Sequence, residues 1–115
     1  WKRISLGGPE SIARLLGKWG RVVMPENKTE YLWFERHGGV TYVTYIARDT
    51  QRKVWCSFLV KRDANGVWHS YYAPVEGAVM ARIGKNFATS DEARCWSETV
   101  WKLGAADQLW EASLP

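Results

Sequence analysis

A chain of 115 residues, 46% hydrophobic and 24% charged, has the balance of one globular domain rather than of a disordered or fibrous chain. Its formal charge of +4 is unevenly spread: residues 1–62 hold twelve basic against five acidic residues, and the remainder four against seven, which admits an anionic partner without requiring one. No apolar run reaches the roughly 18 residues of a membrane helix, and the opening Trp1-Lys2-Arg3-Ile4-Ser5-Leu6 lacks the apolar core of an export signal. The expectation is a cytoplasmic protein with no membrane partner, although a start on Trp1 leaves room for residues ahead of it.

In chain order, Gly8 can cap a first short helix, Pro9 suits its first turn, and Ile12, Leu15, Leu16 and Trp19 form one stripe that Gly20 stops. Val22, Val23 and Met24 follow, either as an edge strand or as packed connection. From Thr29 the apolar period becomes two. His37-Gly38-Gly39-Val40 reads as a two-residue hairpin turn, Arg48 to Lys53 as a short polar loop, and Ala64-Asn65-Gly66-Val67 as a type I′ turn. Strands are predicted at 30–37, 40–48, 53–63 and 67–73, with a fifth near 78–83 after the Pro74–Gly77 bend. Thr89-Ser90-Asp91-Glu92 is a capping box, and Ala93, Trp96, Val100 and Leu103 continue a helix that Gly104 ends. A further helical turn is expected around Leu109 and Trp110. The predicted fold is a single α+β domain over 1–115: an antiparallel meander of four to five strands, with a short amino-terminal helix and the capped carboxy-terminal helix on one face.

The turns also sort the strands by face. Pairing His37 with Val40, Ala47 with Val54 and Ala64 with Val67 puts Leu32, Phe34, Val43, Tyr45, Cys56, Phe58, Val60 and Tyr71 toward the helices. The opposite face receives Tyr31, Trp33, Tyr42, Ile46, Trp55, Leu59, Trp68 and Tyr72, among polar residues that include Lys53 and Lys61. A sheet face so rich in rings needs a cover or a partner. The amino-terminal helix or the tail with Trp110 could lie over it, two copies could stack there, or it could be a ligand face.

The segment from Gly66 to Glu98 adds a resemblance. Gly66-Val67-Trp68, then Arg82-Ile83-Gly84, Phe87, Thr89 and Glu92-Ala93-Arg94 resemble the strand–strand–helix pattern of AP2-type DNA-binding domains and of the arm-binding domains of phage-type integrases. That resemblance implies a sheet entering the major groove with Trp68, Ser70, Tyr72 and Arg82 toward DNA and the helix packed behind. The chain departs from the pattern in carrying Tyr71 and Tyr72 where the family is dense in arginine.

Catalytic and metal chemistry find little footing. Cys56 and Cys95 stand alone, and with His37 and His69 they lack the paired spacing of structural zinc, so free thiols, no metal and no cofactor are expected. Neither histidine has a sequence-visible nucleophile or base beside it, Glu35 and Asp63 are the only carboxylates assigned to the aromatic face, and Gly7-Gly8 lacks a phosphate-loop lysine. The functional expectation is a non-catalytic binding module. Trp33, Tyr42, Trp55, Trp68 and Tyr72 would form a stacking platform, and Arg52, Lys53 and Lys61 would supply charge for a nucleic acid. The alternatives are a protein-interaction or homodimerisation module that buries the same rings, and a small-molecule binder with a pocket between sheet and helix.

Overall fold

The structure is a computed structural model in which residues 29–115 are described; the helix expected between Gly8 and Gly20 and the stretch Val22–Met24 lie outside them. Five antiparallel strands run in chain order across one sheet: β1 (Phe34–Arg36), β2 (Thr41–Asp49), β3 (Val54–Arg62), β4 (Trp68–Ala73) and β5 (Ala81–Phe87). Two helices follow, α1 (Ser90–Lys102) and α2 (Ala106–Ser113). The α+β meander is thus the one that period and turn chemistry predict, with β5 running farther than expected and β1 shorter.

Of the three hairpins predicted from turn chemistry, the first has the expected register and the second and third do not. Phe34 pairs with Val43, as the Gly38-Gly39 turn requires. At the second hairpin, Ile46 pairs with Cys56 and Ala47 with Trp55, while Asp49 pairs with Val54. Arg48 is therefore an extra residue, a bulge that shifts the pairing by one. The Asp49 carboxylate accepts the backbone N–H groups of Gln51 and Arg52, at 3.0 and 3.1 Å, and closes the loop around a left-handed Lys53 at φ 56°. At the third hairpin, Arg62 pairs with Trp68. The Asp63 carboxylate binds the N–H groups of Asn65 and Val67, and only Gly66 of the turn has positive φ. That combination is a type I turn followed by a left-handed glycine, a three-residue loop where the Asn-Gly pair predicted two.

Two one-residue slips compensate in part. Between them β3 keeps its expected orientation, with Cys56, Phe58 and Val60 buried toward the helices. The other strands turn over relative to it. Tyr31, Trp33, Tyr42 and Ile46 join Trp68, Tyr72 and Ile83 on the helix side, in one core with Trp96, Val100 and Leu109. Leu32, Phe34, Val43, Tyr45 and Tyr71, expected in the core, belong to the opposite face.

Local chemistry sets the helical layer. The Thr89 hydroxyl accepts from Glu92 N at 3.2 Å, and Glu92 reaches back to Ala88 N at 3.3 Å, one residue beyond the usual capping box. Gly104 at φ 69° sends the chain on into α2. The apolar stripe of α1 buries Ala93, Trp96 and Val100 against the sheet. Trp96 fits because Gly84 of β5 has no side chain: a Cβ there would stand 2.3 Å from the indole.

A polar cluster ties α2 to the sheet. Asp107 accepts from the Tyr72 hydroxyl at 2.7 Å and forms an ion pair with Arg48 at 2.9 Å, while Arg48 also donates to Pro74 O at 3.0 Å. The bulge thus delivers the residue that partners the buried carboxylate.

Candidate binding face

The eight residues singled out in the sequence do not form one surface. Trp33, Tyr42, Trp68 and Tyr72 lie on the helix side, where each has a structural task. Trp33 Nε1 donates to the buried Glu98 carboxylate at 2.7 Å. Tyr42 packs between Trp68, ring centroids 5.9 Å apart, and the Arg94 guanidinium of α1, 4.4 Å from its ring centre. Tyr72 is fully buried against Phe58. Trp55 and Lys61 are on the far face, and Arg52 and Lys53 are exposed in the β2–β3 loop, Arg52 beside Asp49 at 3.7 Å. The register slips account for this division.

The far face gathers a different set. Pairing places Phe34 and Arg36 of β1 beside Thr41, Val43, Tyr45 and Ala47 of β2, then Trp55, Ser57, Leu59 and Lys61 of β3, His69, Tyr71 and Ala73 of β4, and Arg82 of β5. Leu32 precedes them at 71% exposure, Tyr45 is 53% and Trp55 44% exposed, and Trp55 is the one exposed tryptophan among the described residues. Phe34 sits 6.4 Å from Tyr45 by ring centroids and 5.8 Å below the Arg36 guanidinium. Aromatic and cationic groups are therefore already assembled on this side.

Charge on the far face is one-sided. None of its strand positions holds a carboxylate, and among the described residues no acid pairs with Arg36, Lys61 or Arg82. Residues 29–115 as a whole carry ten of the 16 basic and ten of the 12 acidic residues, so this body has no formal net charge. The asymmetry arises from placement, with Glu35, Glu98 and Asp107 on the helix side. The nearby acids are in turns: Asp49 with Arg52, Asp63 with His69, and Glu76 between β4 and β5.

Sequence reasoning missed the Asp63–His69 pair. His69 Nε2 stands 2.7 Å from Asp63 Oδ2, and an ionised carboxylate can only accept, so the imidazole N–H donates. That bond, chiefly, with the Val67 N–H holds the Asp63 carboxyl below its ordinary range. His69 Nδ1 is buried and, among the described residues, meets no hydrogen-bond partner. The signal was available: an aspartate two residues before Asn-Gly offers its side chain to the turn's N–H groups and favours the three-residue loop.

The remaining titratable groups are structural. Burial pushes the Cys56 thiol up to about 12 and that of Cys95 to about 11, so both thiols, neither of them in a disulfide, stay protonated and poorly nucleophilic. Burial and the hydrogen bond to Asp107 raise Tyr72 well above the phenol range. Among the described residues no three of His, Cys, Asp and Glu converge as metal ligands, and no helix is long and apolar enough to cross a membrane.

A cleft of about 500 Å³ opens on the far face between Tyr45, Trp55 and Ser57 of the sheet and Val75, Glu76 and Met80 of the β4–β5 connection. It is lined by no helical residue, whereas the expected small-molecule pocket lies between sheet and helix. Of the positions the AP2-type resemblance directs toward DNA, Arg82 is exposed on the far face, and Trp68, Ser70 and Tyr72 are buried on the helix side. No family model, curated protein or solved structure matches the chain.

Proposed function

We propose that the chain is a binding module whose far sheet face takes up single-stranded nucleic acid. The observation that carries this reading is the composition of that face: Phe34, Tyr45, Trp55 and Tyr71 interleaved with Arg36, Lys61 and Arg82, and no carboxylate on its strands. Rings offer stacking surfaces to bases of any sequence, and the cations meet the phosphates. The platform differs in membership from the one expected from sequence, since only Trp55 and Lys61 are common to both. A labelled single-stranded oligonucleotide titrated at low salt tests it. Reversing Lys61 and Arg82 together to glutamate should weaken binding by at least about tenfold, while Arg62→Glu, on the other side of the sheet, should have a smaller effect. Equal losses from both changes would argue against a face-specific site.

A second reading, a protein partner or second copy, is favoured by one observation. Leu32 and Val79 are 71% and 67% exposed and Met80 is also exposed, and aliphatic side chains fit a protein interface better than a base stack. Sedimentation of the wild type beside Trp55→Asp separates the two, because a dimer that dissociates on that change supports self-association.

A further inference from the structure

We infer that the cleft beside Trp55 takes one base of the bound strand and prefers a base that donates from an exocyclic amino group, cytosine over thymine. The inference rests on the nucleic-acid reading of the far face and assigns a ligand class to one of its subsites.

The cleft, at about 500 Å³, falls within the range of sites that enclose a small organic molecule. Trp55 and Tyr45 contribute ring surface from adjacent strands. Their cross-strand partners are Ala47 and Ser57, which makes them diagonal neighbours on one face, close enough for both to touch one inserted ring. Among the described residues, no lysine or arginine lines the cleft. Lys61 stands four residues beyond Ser57 along β3, about 13 Å away at strand spacing. A phosphate gains nothing in the cleft, so the part of a nucleotide that suits it is the base, with flanking phosphates reaching the cations.

Glu76 supplies the selectivity. It occupies the turn Val75–Ala78, closed by Ala78 N to Val75 O at 3.1 Å, with Gly77 at φ 88°. Positive φ at the third position alone marks a type II turn, with Glu76 at its second position. Among the described residues its carboxylate has no hydrogen-bond or ion-pair partner. Ionised, it is an acceptor only. Beside stacked rings it is matched by the N4 amino group of cytosine and opposed by the O4 carbonyl of thymine. The Ser57 hydroxyl can donate or accept and does not discriminate.

The wall that carries Glu76 is fixed at both ends. Arg48 donates to Pro74 O at 3.0 Å, and Trp110 Nε1 donates to Val79 O at 2.8 Å. A cleft held open from behind loses less entropy on binding than a loop that must close.

The test is fluorescence anisotropy of labelled oligonucleotides of about twelve dC or dT residues, on the full chain at low salt and pH 7.5. The wild type should bind dC about tenfold more tightly than dT. Glu76→Ala, melting with the wild type, should lose the preference while still binding dT. Equal affinity for both oligonucleotides in the wild type, or a preference that survives Glu76→Ala, overturns base selection and leaves the far face as a nucleic-acid surface. No binding of either oligonucleotide overturns the nucleic-acid reading together with the inference.

Discussion

Asp107 accepts from the Tyr72 hydroxyl and pairs with Arg48, and both its side chain and that of Arg48 are largely buried. Replacing it by alanine takes the acceptor from the Tyr72 hydroxyl and the carboxylate from Arg48, and removing one member of a buried pair costs about 3 to 5 kcal/mol. Urea unfolding of Asp107→Ala should show that loss with little change in slope, and a midpoint equal to wild type would contradict the role given to the cluster. Asp63 makes a prediction in pH. Its carboxyl is held low, first by the His69 hydrogen bond and then by the Val67 N–H, so the unfolded chain takes up its proton at higher pH than the folded one. The stability this provides is complete above the unfolded value, about 4, and is lost as pH falls through the lower folded value. The stability gap between wild type and Asp63→Asn should therefore shrink as pH falls below about 4. A gap that persists unchanged into acid would show that the carboxylate charge is not what holds the turn.

At the scale of elements, the strands and α1 were legible because their signals are local: a period of two, a Thr-x-x-Glu cap and glycines where the chain turns. The order of strands followed from short hairpins. Register was only partly legible, since each misread turn depends on an aspartate side chain. Asp63 hydrogen-bonds to the N–H groups ahead of it and lengthens its loop by one residue relative to the simplest reading, while Asp49 bonds likewise to those ahead of it beside the Arg48 bulge, which brings the strand pairing two residues nearer the turn. Arg48 gave a further sign, a long cation in a strand whose partners, Asp107 and the Pro74 carbonyl, are distant in sequence, and no local pattern reveals them. The packing of β5 against α1 is a long-range feature of the same kind. Gly84 has φ 78°, and a Cβ there would meet the Trp96 indole. Gly84→Ala should cost about 2 to 4 kcal/mol from backbone strain and displaced packing together. Gly66→Ala, also at positive φ but facing open space, should cost about 1 kcal/mol. Similar losses at the two sites in thermal unfolding would mean that Trp96 does not depend on the missing side chain.

At the scale of the whole molecule, the tryptophans of the described strands and α1 divide between the two sides of one sheet. Trp33, Trp68 and Trp96 help build the helix side, and Trp55 stands on the far face with Phe34, Tyr45 and Tyr71. The candidate surface was therefore legible in kind, rings beside cations on a sheet, but not in membership, because one-residue slips exchange whole faces. Its charge is a matter of arrangement: the described body has no net charge, and the strands of its far face present Arg36, Lys61 and Arg82 with no acid paired to them among the described residues. The account's central claim, that this face binds single-stranded nucleic acid through those cations, is tested most directly by the salt dependence of oligonucleotide affinity. Three phosphate contacts predict a slope of log affinity against log salt of about −2, reduced by about one in Lys61→Ala. A slope near zero, or no binding at low salt, would contradict it.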